Sequence, residues 1–90
     1  MDLGLGGKVA LVAASSQGLG RAIAEELASE GASLVLCARG EPALREVREA
    51  LAKAHGVKVT AVPADLTRVE DVSRVVEAGR RDHGRIDILV

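Results

Sequence analysis

The stretch that decides the fold reads Val9-Ala10-Leu11-Val12-Ala13-Ala14-Ser15-Ser16-Gln17-Gly18-Leu19-Gly20. Its first six residues are all apolar, as is typical of a strand buried on both faces of a parallel sheet. Small residues then lead to Gly18 and Gly20, and a helical pattern begins at once. A strand, a glycine-containing turn and a helix in this order predict the first unit of an α/β fold.

Three further apolar runs continue the alternation, at Leu34–Ala38, Val57–Val62 and Ile86–Val90. The run at Val57–Val62 alternates with polar residues until Val62, which indicates a half-exposed edge strand. Helical periodicity lies between the runs, at about 19–30, 42–55 and 68–83. The apolar stripes of these helices are Leu19, Ile23 and Leu27; Leu44, Val47, Leu51 and Ala54; and Val69, Val72, Val76 and Gly79. The order β-α-β-α-β-α-β predicts a partial, Rossmann-like, doubly wound parallel sheet with strand order 3-2-1-4.

Residues with known end preferences mark the helix boundaries. Pro42 suits a first helical position, and Thr67 with Glu70 fits a capping box at the start of the third helix. A glycine follows each helix and is expected to adopt the left-handed conformation, at positions Gly31, Gly56 and Gly84. His55 and His83 precede two of these glycines, where a cation would favour the helix dipole.

Composition excludes several classes of function. The chain is 48% apolar and 28% charged, which predicts a globular body. Its formal net charge of −1 gives no electrostatic basis for binding nucleic acid or an anionic membrane. No signal-peptide pattern or membrane-length apolar run is present, and the single cysteine, Cys37, suits a reducing compartment, so we expect a cytoplasmic protein. Cys37 fits a small buried core position, and the histidines form no metal-ligand pattern with it.

The segment between the first strand and the first helix fits a phosphate-binding loop. Small side chains let the backbone approach a pyrophosphate, and the helix N-terminus offers free N–H groups with a partial positive charge. Gly18 permits the tight turn, and Gly20 allows close packing of helix and strand. A Gly-x-Gly alone equally fits an ordinary strand-to-helix turn, so its position in the first unit carries the prediction.

The end of the second strand indicates which dinucleotide is bound. A site selective for NAD usually has an acid about 20 residues after the glycine loop, on the ribose 2′-hydroxyl. Here Cys37-Ala38-Arg39-Gly40 contains no acid. Arg39 can pair with a 2′-phosphate through two N–H groups, although it also fits an ordinary exposed arginine. We therefore predict NADP(H) in preference to NAD(H).

Together these features resemble the short-chain dehydrogenase/reductase family. Val12–Ala24 is similar to its T-G-x-x-x-G-x-G segment, with Ala13 and Ala14 in place of the Thr and the first Gly. In Ala64-Asp65-Leu66-Thr67, the resemblance implies that Asp65 accepts from the adenine amino group and that the Leu66 backbone adds a contact. Asp65 also fits a loop acid that helps to cap the third helix. The candidate cofactor-binding residues are Ala14, Ser15, Ser16, Gln17, Gly18, Leu19, Gly20, Arg39, Asp65 and Leu66.

The resemblance implies an NADP(H)-dependent carbonyl reductase or alcohol dehydrogenase, with 3-oxoacyl carrier-protein reductase as one candidate. Its substrate would be a small carbonyl or alcohol, and the whole protein would be a homo-oligomer. The family's catalytic Ser, Tyr and Lys follow the fourth strand, so no catalytic residue is assigned, and the sequence contains no Tyr. We therefore expect residues 1–90 to be the N-terminal part of a single dinucleotide-binding domain. The alternatives are a non-catalytic nucleotide-binding or sensor protein on the same half-fold, and a fragment that binds nothing.

Overall fold

A computed structural model describes residues 5–13 and 18–90, which form alternating strands and helices. The strands are β1 (Val9–Ala13), β2 (Ser33–Ala38), β3 (Val59–Pro63) and β4 (Ile88–Leu89). The helices are α1 (Gly18–Ser29), α2 (Glu41–His55) and α3 (Val69–His83). The predicted order of elements is confirmed, and each boundary within the described residues lies within two residues of its prediction.

The strands form one parallel sheet in the predicted order, β3-β2-β1-β4. Val9–Ala13 pairs with Ser33–Cys37, and Leu34–Ala38 pairs with Val59–Pro63. On the other side of β1, Ala10 and Leu11 pair with Ile88 and Leu89. Because all strands run the same way, their carboxyl ends and the loops that follow them meet at one edge of the sheet.

Side chains of β1 and β2 alternate between two cores on opposite faces of the sheet. On one face, α1 and α2 bury a cluster made by Ala10, Val12, Leu34, Leu36, Ala24, Ala28, Leu44, Val47 and Leu51. On the other face, α3 buries a cluster made by Val9, Leu11, Val35, Cys37, Val62, Val75 and Ala78. The sheet is therefore doubly wound, and burial on both faces explains the nearly continuous apolar strands.

The two outer strands explain the irregular parts of the sequence pattern. Val59 packs on the α1–α2 side of the edge strand β3, whereas Val62 packs on the α3 side, so Val62 interrupts the alternation. β4 is shorter than the predicted Ile86–Val90, yet its backbone pairing continues beyond the strand. Asp87 N–H donates to Val9 O at 2.8 Å, and Val90 N–H donates to Leu11 O at 2.9 Å.

Of the apolar stripe predicted for α3, Gly79 is buried and Val76 is half-buried, but the prediction is wrong for Val69 and Val72. Val75, Ala78 and Gly79 are buried, whereas Val69 is 79% exposed and Val72 is also exposed. Gly79 lies so close to the sheet that an added Cβ would stand 3.0 Å from Ile86 Cδ1. Small residues thus allow this side of α3 to pack closely on the sheet, whereas Val69 and Val72 of the predicted stripe are exposed.

The stripes predicted for α1 and α2 are correct only in part. Ile23 and Leu27 pack against the core as expected, but Leu19 is 76% exposed, and Ala24 and Ala28 are the fully buried residues of α1. In α2, the three larger predicted residues are buried and Ala54 is exposed.

The ends of α3 show one wrong and one correct prediction. Arg68 occupies the N-cap without a side-chain cap hydrogen bond, and the Thr67 hydroxyl donates to Asp65 instead, so the predicted capping box does not form. At the other end, Gly84 has φ 81° and donates its N–H to Arg80 O, as predicted. Gly31 and Gly56 also have positive φ values, but Pro42 is the second residue of α2 rather than the first.

Candidate functional site

A cavity of about 780 Å³ opens at the carboxyl edge of the sheet, beside the ends of β1, β2 and β3. This volume is within the range of pockets that hold small molecules and cofactors. Its small lining residues are Ala13, Ala38, Gly40, Ala43 and Ala64, and the others are Cys37, Arg39, Asp65, Leu66 and Thr67. The small side chains leave room at the strand ends, and Arg39 and Asp65 are the charged residues of the lining.

The turn into α1 has the predicted backbone form at Gly18. This residue begins α1 with φ 64°, a left-handed conformation that other residues adopt at a cost. Among residues 5–13 and 18–90, no heavy atom would lie within 4 Å of a Cβ added to Gly18. Leu19 is exposed and Gly20 is half-buried. The candidate residues Ala14, Ser15, Ser16 and Gln17 lie outside the described residues.

Arg39 directly follows β2 and projects beside the cavity. Its side chain is 81% exposed, and its Nη2 lies 3.8 Å from Oδ2 of Asp65, whose side chain is 28% exposed. The two residues meet because β2 and β3 are neighbours and both strands end at this edge. The guanidinium donors are thus accessible to an anion that approaches from solvent.

Asp65 is held in place from two directions. Its Oδ1 accepts hydrogen bonds from the Thr67 hydroxyl at 2.7 Å and from the Thr67 N–H at 3.0 Å. Its own N–H donates to Asp71 Oδ2 at 2.8 Å. The bonds from Thr67 hold the pKa of Asp65 below its ordinary value of 3.8, with a smaller contribution from Arg39. Asp65 is therefore an ionised acceptor with a fixed orientation.

Comparison with known proteins identifies the family to which this chain belongs. A family model described as short chain dehydrogenase matches residues 8–90. The chain belongs to the short-chain dehydrogenase family. The resemblance seen in the sequence is thus confirmed, and so is the Rossmann-like fold.

Relatives within the family extend well beyond this chain. A 3-oxoacyl-acyl-carrier-protein reductase of Aquifex aeolicus is 38% identical over 90 residues, which are all of this chain and 36% of that protein. The crystal structure of L-sorbose reductase from Gluconobacter frateurii, complexed with NADPH and L-sorbose, has TM-score 0.96 and 46% identity over 99% of this chain and 34% of that chain. An NAD⁺-bound xylitol dehydrogenase has TM-score 0.90 and 32% identity, covering 96% of this chain and 33% of that one. The chain therefore spans about a third of the length of each of these three relatives.

The sequence pattern does not predict that two further residues hold Asp65 in place at the candidate site. The pattern places Thr67 in a capping box and gives Asp71 no role, yet they fix the side chain and the backbone of Asp65. An Asp followed two residues later by Thr is a signal for a side-chain turn of this type, and the sequence contains it. The backbone carbonyl of Asp65 also accepts the Arg68 N–H at 3.0 Å and so closes the turn before α3.

The two histidines and the cysteine make contacts that stabilise the fold. Cys37 is fully buried in the α3-side core, as predicted. His83 Nε2 lies 2.9 Å from Thr60 Oγ1, and burial lowers the pKa of His83, so the charged form of this histidine is disfavoured, contrary to the prediction. His55 contacts Glu25 at 2.7 Å.

Neither a metal site nor a membrane span is found in residues 5–13 and 18–90. No group of three His, Cys, Asp or Glu side chains there is arranged to hold a metal ion. None of the helices in the same ranges is long and apolar enough to cross a bilayer.

Proposed function

We propose that this chain is the cofactor-binding part of an NADP(H)-dependent oxidoreductase that acts on a small carbonyl or alcohol substrate. The observation that carries the proposal is the convergence of Arg39 and Asp65 on one cavity, beside a turn with Gly18 in the left-handed conformation. This cavity lies at the strand ends of a doubly wound sheet, where such folds bind dinucleotides. The family relationship and the NADPH complex of the sorbose reductase support the same choice.

The adenosine end of NADP(H) fits the described residues. In the proposed complex, Arg39 pairs with the 2′-phosphate, whereas NAD(H) offers only a hydroxyl there and loses this charge-assisted contact. Asp65, ionised and fixed by Thr67, accepts from the adenine amino group, and the Leu66 backbone lies against the ring. The small residues Ala38, Gly40 and Ala43 leave space for the ring and ribose.

The pyrophosphate is assigned to the turn between β1 and α1. The proposed contacts come from the backbone of Ala14, Ser15, Ser16 and Gln17 and from Gly18, Leu19 and Gly20 at the start of α1. Free N–H groups and the positive end of the helix dipole favour a pyrophosphate there. The exposure of Gly18 and Leu19 at the start of α1 is consistent with this assignment.

The nicotinamide cofactor supplies hydride for carbonyl reduction when it is bound. The residues of this chain bind and orient the cofactor, and we assign none of them to catalysis. The finer activity that we propose is reduction of a 3-oxoacyl or related carbonyl group, as in the Aquifex relative. We further propose that the whole protein is a cytoplasmic homo-oligomer.

Cofactor titration followed by a turnover assay tests the proposal. The whole protein should bind NADPH more tightly than NADH, measured by the fluorescence of the reduced nicotinamide. It should then oxidise NADPH only when a carbonyl compound from a panel of 3-oxoacyl esters and ketoses is added. Binding without turnover across the panel would favour the sensor alternative, and failure to bind either cofactor would refute the site.

A further inference from the structure

The ion pair between Arg39 and Asp65 stands on a ridge between two cavities. Both residues line the 780 Å³ cavity and also a second one of about 310 Å³, which is completed by Pro63, Ala64 and Asp71. In the proposed complex, Arg39 binds the 2′-phosphate and Asp65 binds the adenine, as if the two side chains acted independently. Their separation of 3.8 Å shows that the two charged groups already interact with each other.

The two partners of this ion pair differ in how firmly they are held. Thr67 occupies Oδ1 of Asp65 with two hydrogen bonds, and Asp71 holds the Asp65 backbone. The remaining oxygen, Oδ2, faces the guanidinium. Arg39 is a long side chain that is 81% exposed. Asp65 is therefore the fixed partner, and Arg39 is the partner that can turn toward an arriving anion.

We propose that Asp65 is a specificity-determining residue that competes with the 2′-phosphate for Arg39. The proposal rests on the proposed function, since it requires that Arg39 bind the phosphate. A carboxylate beside the guanidinium offsets part of its charge, so a phosphate must share the guanidinium or displace the carboxylate. The uncharged 2′-hydroxyl of NADH does not compete with the carboxylate for the guanidinium in this way. Asp65 therefore reduces the preference for NADPH that Arg39 alone would give.

The ratio of the dissociation constants, Kd for NADH over Kd for NADPH, isolates this competition. Any adenine contact that Asp65 makes is common to both cofactors, so its loss cancels in the ratio. In the whole protein, Asp65→Asn should raise the ratio about two- to fivefold, as expected for a solvent-exposed ion pair. Asp65→Ser removes the same charge through a different side chain and should shift the ratio in the same direction, should the Asn variant fold poorly.

A double-mutant cycle with Arg39→Ala tests whether the effect passes through Arg39. Arg39→Ala should lower the ratio, and adding Asp65→Asn to that background should leave the ratio unchanged. A ratio that stays constant or falls on Asp65→Asn in the presence of Arg39 would overturn the inference, as would a rise that persists without Arg39. If Arg39→Ala itself leaves the ratio unaltered, the assignment of the phosphate to Arg39 fails instead.

Discussion

At the scale of single residues, the proposed choice between NADPH and NADH depends first on the side chain of Arg39. It follows a strand whose central residues are fully buried, so its backbone is fixed while its guanidinium stays in solvent. The sheet supplies the position, and the exposed side chain supplies the charge. A change at this residue should alter binding without altering the core.

We expect Arg39→Asp to weaken NADPH binding and to shift preference toward NADH. The variant loses a charge-assisted pair worth about 1.5–3 kcal/mol, which corresponds to roughly tenfold or more in affinity. It also places a second carboxylate beside Asp65. Titration of both cofactors measures the change, and Arg45→Asp, which alters charge equally at an exposed residue of α2, is the control. Unchanged NADPH affinity in Arg39→Asp would contradict the assignment.

We expect the left-handed backbone of Gly18 to matter for folding, and its lack of a side chain to matter for cofactor binding. At φ 64°, a β-branched residue is strained, so Gly18→Val should lower the free energy of unfolding by about 1–2 kcal/mol and also weaken NADPH binding. Gly18→Asn tolerates the left-handed conformation and adds a side chain at the same point of the turn. Its stability should stay closer to that of the wild type while its binding falls.

Urea denaturation and cofactor titration separate these two effects of Gly18. Circular dichroism should show near-normal helical content in both variants. An Asn variant that is as stable as the wild type and binds NADPH equally well would show that the pyrophosphate does not pass in front of Gly18.

At the scale of elements, the close approach of α3 to the sheet depends on Gly79. An added Cβ would meet Ile86 Cδ1 at 3.0 Å and Val35 Cγ2 at 3.2 Å, in a region that is already buried. Gly79→Ala should therefore lower the free energy of unfolding by about 1–3 kcal/mol, despite the better helix propensity of alanine. Ser73→Ala, an exposed site on the same helix, should stay within about 0.5 kcal/mol of the wild type. Equal stability of the two variants in urea would argue against this packing.

We expect the free energy of unfolding to depend on pH because of His83, the last residue of α3. Burial lowers the pKa of His83 below its ordinary value of 6.5, Lys58 adds to this effect, and Asp82 acts against it. Below pH 6.5 the unfolded chain therefore binds more protons at this site than the folded one. The free energy of unfolding should fall as pH drops from 6.5 through the lowered pKa.

Replacing His83 should flatten this pH profile. His83→Gln keeps a polar side chain near Thr60 but does not titrate, so thermal or urea unfolding between about pH 7 and pH 5 should show a shallower slope. Lys58→Gln removes the second cause of the lowered pKa and should give an intermediate slope. A slope equal to that of the wild type in His83→Gln would assign the pH dependence to other groups.

How much the sequence predicts differs between elements. The apolar runs give the strands and their order, because strands buried on both faces need continuous apolar side chains and α/β crossovers are right-handed. The face of α3 was only partly predictable from periodicity, since the predicted stripe of Val69, Val72, Val76 and Gly79 is as regular as the buried set of Val75, Ala78 and Gly79. Which stripe packs is decided by how closely the helix can approach, and small residues allow the closer approach.

The candidate site shows the same division between what is and is not predictable. That Arg39 and Asp65 meet follows from the predicted adjacency of the second and third strands. The network of Asp65 with Thr67 and Asp71 does not, because the capping box and the observed turn use the same threonine hydroxyl. Local sequence presents both options, and tertiary packing selects one of them.

At the scale of the whole molecule, NADPH should protect one edge of the sheet from hydrogen exchange. Peptides that cover residues 38–40 and 64–67 line the cavity and should exchange more slowly when the cofactor is added. Peptides that cover 56–58 lie at the opposite ends of the strands and should change little. Mass spectrometry of the exchanged protein measures both. Protection at 56–58 with none at 64–67 would contradict a cofactor site at the carboxyl edge of the sheet.

The contacts of His55 and His83 at the opposite edge have an evolutionary consequence. Along β3, Thr60 lies about 13 Å from Ala64 of the cavity, beyond the range over which the effects of two mutations usually interact. Glu25 with His55, and Thr60 with Asp82 and His83, can therefore vary for heat or acid tolerance while Arg39 and Asp65 stay as they are. In evolution, the stability of the fold and the preference for one cofactor can therefore change through separate substitutions that combine without affecting each other.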